Sequence, residues 1–373
     1  MSDPILFPAR LAIQQRVLPA YRLPFFDALA SACTGGLSLF AGQPLLDEQI
    51  ATAGALQVAK LVPARNRHLF SPASPLYQCW QDGIIAWLET WQPQALIVEA
   101  NPRYRTTPQA VRWMHARSRP VLGWGLGASP LGGLLSGWRR RSRLHFLRSL
   151  DGMIAYSQRG AQEYRDLGFS AERVFVAPNA VAPRPLKSPP ARPPGFEKSP
   201  AVLFVGRLQP RKRIDLLLQA CAALPKELQP SLWIVGEGPA RAGLQQLAAS
   251  LYPQAEFPGP RYGAELEQFF NAADLFILPG TGGLAVQQAM GFGLPVVVAQ
   301  GDGTQDDLVR PENGWRIPSN DLAALTETLR LALSDSARLR QMGAASYRIV
   351  AEEANLERMV EVFVQALTSI QPI

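Results

Sequence analysis

Two short segments of this chain carry residue types whose spacing suits phosphate chemistry. The first, Gly206-Arg207-Leu208-Gln209-Pro210-Arg211-Lys212-Arg213, directly follows an apolar run. Glycine lets a ligand approach the backbone, arginine offers a planar fork for phosphate oxygens, and lysine adds a compact charge. A diphosphate is the simplest partner; a solvated basic turn is the plain alternative. The second, Pro279-Gly280-Thr281-Gly282-Gly283, leads through Leu284 into a helical pattern that contains Gln288. A glycine-rich loop opening a helix exposes N–H groups at the positive end of the helix dipole, which makes an anion site. Taken alone, such a loop is equally a tight turn. VGEGP, around Gly236, is a third small-residue turn at the end of an apolar run.

The N-terminal half offers different chemistry. Glu99 closes the run ALIVE and is followed by Asn101 and Arg103. A carboxylate at a strand end can receive or orient a hydroxyl proton, while a salt bridge to Arg103 or Arg105 is the structural alternative. Arg16, Tyr21 and Arg22 follow an early apolar run and suit an acceptor phosphate, or a structural role. Residues 120–138, PVLGWGLGASPLGGLLSGW, carry no charge, and Arg139-Arg140-Arg141-Ser142-Arg143 comes next. The run is almost long enough to span a bilayer, but its glycines, prolines and strand-like start favour a strand followed by an apolar loop. An apolar loop ending in Trp138 beside Arg139, Arg140, Arg141 and Arg143 suits an anionic membrane face. A buried hairpin with a basic surface is the competing reading. His68, His115 and His145 stand at no obvious strand end and receive no role.

The elements that must position these residues alternate between strand and helix. LSLFAG (37–42), ALIVEA (95–100), PVLGWGLG (120–127) and GMIAYS (152–157) are short apolar runs suited to strands buried on both faces. AVLFVGRL (201–208), SLWIVGEG (231–238), AEFPG (255–259), DLFILPG (274–280) and LPVVVAQG (294–301) repeat the pattern. Helical patterns lie between them at 24–32, 107–117, 214–224 and 264–273. The stretch 182–200, APRPLKSPPARPPGFEKSP, holds seven prolines, which exclude a central strand or a helix interior. It reads as a semi-rigid linker. The expected architecture is α/β: two doubly wound, Rossmann-like domains facing a cleft. The boundaries are 1–182, a linker at 183–200, 201–350, and a final helix over 351–373. That helix carries an apolar stripe at Leu356, Met359, Val360, Phe363, Val364 and Leu367, so it must pack against something.

Composition narrows the classes. A length of 373 residues suits two domains, and 47% hydrophobic residues with 18% charged exclude wholesale disorder. Cys33, Cys79 and Cys221 lack paired or metal-like spacing, which points to a reducing compartment and away from a disulfide scaffold or a zinc module. No charged-then-apolar signal opens the chain. Residues 1–185 hold 20 Lys+Arg against 11 Asp+Glu, and residues 186–373 hold 17 against 19. The basic half therefore faces something anionic. Nucleic acid is the weakest partner, since no recognition motif accompanies the charge.

Taken in order, FVGRLQPRKRIDLLL, LWIVGEGP, FPGPRYGAELEQFFNAADLFILPG, QQAMGFGLPVVVA and RPENGWRIP resemble the family 4 (group 1) glycosyltransferases of the GT-B fold, over about residues 200–345. More loosely, RVLPAYRLPFFDALA, VEANPRYRTTP and VFVAPNAV resemble a bacterial envelope-polysaccharide subgroup. The resemblance implies a retaining transfer of sugar from a nucleoside-diphosphate donor to a glycan or lipid-linked acceptor. Donor binding falls to the C-terminal domain, acceptor binding to the N-terminal domain, and the last helix crosses back to the latter. Arg207 and Lys212 match the pair that holds the donor diphosphate, so neither metal nor cofactor is expected. Gly206, Gly236 and Arg261 fall beside the donor. Arg16, Tyr21, Arg22, Asn101 and Arg103 are the acceptor candidates, with Glu99 as the carboxylate near the reaction. The implied place is the cytoplasm, peripheral at the inner face of the cell membrane.

The chain departs from the family's two glutamates, spaced seven residues apart, which fall here on Gly280 and Gln288. Gln288 can still hydrogen-bond ribose. Gly280 has no side chain, so Gly280, Thr281, Gly282, Gly283 and Leu284 would hold phosphate and sugar by backbone N–H groups and the Thr281 hydroxyl. That loss motivates a second reading, a non-catalytic nucleotide-sugar-binding partner of another transferase.

Overall fold

The computed structural model describes residues 5–48, 50–52, 54–72, 74–129, 136–196, 198–301 and 303–370. The chain divides into two compact units, Met1–Val181 with Leu356–Ile373, and Ala182–Asn355.

The first unit is built on a seven-stranded parallel sheet. Its strands are β1 (Leu11–Val17), β2 (Leu37–Gly42), β3 (Lys60–Pro63), β6 (Ala95–Glu99), β7 (Val121–Gly125), β8 (Gly152–Ala155) and β9 (Val174–Val176). Their spatial order is β3-β2-β1-β6-β7-β8-β9. Between β3 and β6 the chain makes a separate antiparallel hairpin, β4 (Arg65–Leu69) with β5 (Gln78–Asp82). Helices α1 (Leu23–Ser31), α2 (Ile84–Trp91), α3 (Thr107–His115), α4 (Ser136–Leu147) and α5 (Gln158–Asp166) complete the crossovers. Successive strand side chains point to opposite faces, and here each face has its own core. Leu39, Ile97, Trp124 and Ile154 join one cluster. Phe40, Leu96, Val98, Met153 and Ala155 join the other. Burial on both faces explains the near-continuous apolar runs.

The second unit carries six parallel strands: β10 (Ala201–Val205), β11 (Ser231–Val235), β12 (Ala255–Gly259), β13 (Leu275–Leu278), β14 (Val296–Ala299) and β15 (Gly314–Ile317). Their order is β12-β11-β10-β13-β14-β15. The helices are α6 (Ile214–Ala223), α7 (Arg241–Leu251), α8 (Gly263–Ala272), α9 (Ala285–Gly291), α10 (Leu322–Leu333) and α11 (Ser336–Glu352). Asp321 and Asp335 cap α10 and α11 through side-chain oxygens. The proline-rich stretch is strapped along this unit. Arg192 donates to the carbonyls of Phe270 (2.8 Å), Ala273 (2.9 Å) and Phe292 (2.9 Å), at the ends of α8 and α9. Tyr347 and Arg340 hold the carbonyls of Lys187 and Pro193.

Helix α12 (Leu356–Ser369) belongs to the first unit. Phe363 is fully buried there, with its ring 4.9 Å from Phe25 and 5.1 Å from Trp124, both edge-on. Edge-to-face aromatic packing adds to the burial itself. Phe363→Ala is expected to destabilise the first unit by about 3–5 kcal/mol. Urea unfolding followed by tryptophan fluorescence checks this; a loss below about 0.5 kcal/mol, the size of a surface change, would mean that α12 adds little to that core.

Candidate active site

In each unit the strand order reverses once, between β1 and β6 and between β10 and β13. At such a point the two neighbouring strands send their chains to opposite faces, which opens a crevice beyond their carboxyl ends.

In the first unit this crevice is centred on Arg16 and Glu99. Glu99 is the last residue of β6. Pairing between β1 and β6 ends at Gln14 and Val98, and the β1–β2 register shifts between Gln15 and Val17. Arg16 is thus an extra residue, and such irregularities re-aim the chain near functional sites. Its N–H, past the ladder, donates to Glu99 Oε1 at 2.6 Å. Its carbonyl accepts from Asn66 Nδ2 at 2.8 Å, and its guanidinium forks onto Glu48 at 2.7 and 2.8 Å. Arg16 is therefore fixed at three points.

Burial raises the Glu99 carboxyl above the ordinary carboxylate value; the Arg16 N–H, the Tyr104 hydroxyl and the Arg16 charge oppose the shift without cancelling it. Burial also pushes the Tyr104 phenol well up, so it remains a donor to Glu99. For Glu48, burial acts upward, but the bonds from Arg16 and the Leu45 N–H outweigh it and hold its carboxyl below the usual value. The two carboxyls thus differ in character: the surroundings of Glu48 favour its anion, and those of Glu99 favour its protonated form.

A cavity of about 660 Å³ opens over Glu99. Arg16, Glu99, Asn101 and Arg103 line it together, as do Trp138, Arg139 and Arg143 of α4. The sequence placed these two sets in different roles, acceptor binding and membrane contact. Arg140 and Arg141 are exposed and lie outside its lining. Residues 130–135, part of the uncharged run, lie outside the described residues.

Two acceptor candidates are placed elsewhere. Arg22 is only 6% exposed. It donates to Asn179 Oδ1 and to the Ala180 carbonyl (3.2 Å), and lies over the rings of Trp124 and Tyr156. It braces the segment after β9 and does not line the cavity. Tyr21, half-exposed, does not line it either. The alternative salt bridge from Glu99 to Arg103 or Arg105 does not form: Arg103 instead donates to Asn101 Oδ1 and lies over Tyr77.

In the second unit the crevice is drawn tight. Gly206 follows β10, and a Cβ on Gly236 would lie 1.9 Å from its carbonyl oxygen. A Cβ on Gly280 would lie 2.1 Å from the Arg211 carbonyl oxygen and 2.6 Å from Lys212 Cα. Glycine is the residue that permits such an approach. Thr281 N–H donates to that Arg211 carbonyl at 3.1 Å. Lys212, 5% exposed, donates to the carbonyls of Thr281 (2.9 Å) and Gly282. This corrects the picture of a loop presenting only N–H groups: the Thr281 N–H is engaged, and the loop meets Lys212 with carbonyl oxygens. Helix α9, which follows Gly283 and Leu284, has only seven residues and no side-chain cap at its start. Gln288 is half-buried on it, as is Arg207 after β10. Arg261 is half-exposed, donating to its neighbour Pro260 and standing 3.8 Å from Glu265.

The residues that organise the cavity from behind were missed by the sequence reading. Gln81, 1% exposed, donates to the Gln15 carbonyl (2.9 Å) and Asn66 Oδ1 (3.1 Å), and accepts from Gln14 (2.8 Å). This polar seam ties the hairpin to β1. The usable signal was the alternation in RNRHL and QCWQD, which marks strands without an apolar run. Among the described residues no group of three or more His, Cys, Asp or Glu side chains could hold a metal ion, and no helix is long and apolar enough to cross a membrane.

Residues 190–349 match the family described as Glycosyl transferases group 1. The lipopolysaccharide core biosynthesis glycosyltransferase LpsE of Rhizobium meliloti is 23% identical over 274 residues, 70% of this chain and 80% of that protein. The sulfoquinovosyl transferase SQD2 of Arabidopsis thaliana is 30% identical over 158 residues, 41% of this chain and 30% of that protein. The chain thus spans under a third of the plant relative. The structure of HepE from Anabaena in complex with UDP superposes with a TM-score of 0.69 at 17% identity, covering 96% of this chain and 99% of that one. The fold is GT-B.

Two outcomes follow from the geometry. Because the Glu99 carboxyl is raised in the folded protein, its contribution to stability is full below the unfolded value, near 4.5. It is then lost as pH rises through the higher folded value. Glu99→Gln should therefore lose less melting temperature than the parent between pH 4.5 and pH 7.5; equal slopes would mean that Glu99 ionises as freely as an exposed carboxyl. Gly280→Ala forces Cβ onto the Arg211 carbonyl and should destabilise the second unit by about 1–3 kcal/mol, read as a lower urea midpoint.

Proposed function

Since residues 190–349 match the group 1 glycosyl transferases, we propose that the chain is a glycosyltransferase of polysaccharide or glycolipid synthesis. It moves a sugar from a nucleoside-diphosphate donor to a glycan or lipid-linked acceptor, with retention at the anomeric carbon. The observation that carries this reading is the cationic segment Gly206–Arg213 at the β10/β13 reversal, inside the matched region. Arg207 and Lys212 hold the diphosphate and stabilise its charge as the glycosidic bond breaks, a task that needs no metal. Donor binding draws the Lys212 ammonium from the Thr281 and Gly282 carbonyls toward phosphate. Gly206, Gly236, Arg261, Gln288 and the loop Gly280–Leu284 surround the donor. HepE, whose structure holds UDP, supports a nucleotide of this kind. In the other unit, Glu99 orients the acceptor hydroxyl and takes up its proton, with Tyr104 and the Arg16 N–H holding the carboxylate. The relatives are named as transferases, which favours catalysis over a purely nucleotide-sugar-binding role.

The exposed Trp138, Arg140 and Arg141 of α4 suit peripheral attachment to the anionic inner face of the cell membrane. Arg140/Arg141→Ala should pellet less with anionic vesicles than the parent chain; equal pelleting would remove this part of the reading.

The central test is a thermal-shift screen with UDP, GDP, ADP and TDP and their sugars. One of them at a hundredfold excess over its Kd should stabilise the fold by about 2.7 kcal/mol, and Arg207→Ala should abolish most of the shift. A full shift in that variant would overturn the diphosphate assignment.

A further inference from the structure

The cavity over Glu99 has a charge balance and a rim that the reaction alone does not require. Glu99 is the one acid among its described lining residues, against Arg16, Arg103, Arg105, Arg139 and Arg143. Glu48 neutralises Arg16. Arg143 donates to the Ser129 carbonyl at 2.8 Å and has Glu163 nearby. Arg103, Arg105 and Arg139 make no ion pair among the described residues. Three guanidiniums in the lining of one cavity, each without an ion-pair partner there, favour an anion in it.

The same lining carries exposed apolar side chains. Leu76, Leu126 and Trp138 are 47%, 49% and 66% exposed, and all three line the cavity. They come from three separate elements: the hairpin loop, the end of β7, and α4. A free glycan offers a sugar face to Trp138 but no chain to cover Leu76 and Leu126, and an inorganic anion would use only the arginines. A ligand with an anionic group next to an apolar chain satisfies both. A volume of about 660 Å³ is ample for a sugar and a phosphate.

We propose that this cavity takes a phosphate-bearing lipid as acceptor. The chain lies over Leu76, Leu126 and Trp138, the phosphate or diphosphate bridges Arg105 and Arg139, and the hydroxyl to be glycosylated points at Glu99. This rests on the transferase reading above and chooses, between glycan and lipid-linked acceptors, the second. It also divides the α4 arginines by task. Arg139, four residues from Arg143 and one turn away on the same side, reads the acceptor, while Arg140 and Arg141 stay outside.

Isothermal titration of the full chain, below the micelle threshold, tests this with farnesyl phosphate, inorganic phosphate and octyl glucoside. Farnesyl phosphate should bind about a hundredfold tighter than either, because each lacks one half of the recognition. Arg105/Arg139→Ala and Leu126/Trp138→Ser should each weaken it about tenfold or more, with the parent melting temperature and nucleotide shift retained. Inorganic phosphate binding as tightly as farnesyl phosphate would overturn the lipid half, and octyl glucoside doing so would overturn the phosphate half. Unchanged affinity in both variants, or no binding of farnesyl phosphate, overturns the proposal. In each case an intact nucleotide shift leaves the transferase reading standing, and loss of that shift in the parent chain undermines it separately.

Discussion

A parallel sheet that reverses its strand order must leave two neighbouring strand ends with their chains departing to opposite faces. No hydrogen-bonded ladder continues above that gap, so whatever fills it is set by loops and side chains. Both units are built around this constraint, and they resolve it in opposite ways. Above β1 and β6 the gap stays open, and Arg16 and Glu99 form its floor. Above β10 and β13 the two loops approach until a single Cβ would not fit, and Lys212 bonds the carbonyls that face it. The open gap is suited to a bulky partner. The tight one is held by its own contacts, from the Lys212 ammonium and the Thr281 N–H.

Why Glu99 can differ from Glu48 follows from how each is held. Glu48 shares its charge with a guanidinium in a two-pronged bond, which favours ionisation. Glu99 receives neutral donors, an amide and a phenol, in a buried place, and these offset only part of the desolvation. Arg16 serves both carboxyls through different atoms, its side chain for one and its backbone for the other. The extra residue in β1 is what frees the backbone N–H for that second task.

The sheets were readable where burial on both faces writes an unbroken apolar run. ALIVE, LSLFAG, AVLFV and SLWIV each appear as strands at or within a few residues of the expected limits. The end of β1 was set too early because Gln14 and Gln15 interrupt its apolar run: Arg16, expected in the loop after it, lies within the strand, and both glutamines are buried to make the polar seam with Gln81. The hairpin escaped notice for a related reason, since its strands alternate between polar and half-buried residues. Of the candidate residues, the strand-end carboxylate Glu99 was legible because chemistry and topology coincide there. For Arg22 the structural alternative is the one that fits, and it could not be chosen from sequence because the aromatic rings around it come from distant segments. The sharing of one cavity by α4 and Glu99 was not legible at all, since forty residues separate them in sequence and only the β7 crossover brings them together.

The approach at Gly280 has a consequence for how this protein can change. The obstacle to a side chain there is the main-chain carbonyl of Arg211, which is common to every residue type. No exchange of a neighbouring side chain for a smaller one makes room. A carboxylate at that position therefore has to displace main chain and not merely a side chain, which couples residue 280 to the path of the loop after β10.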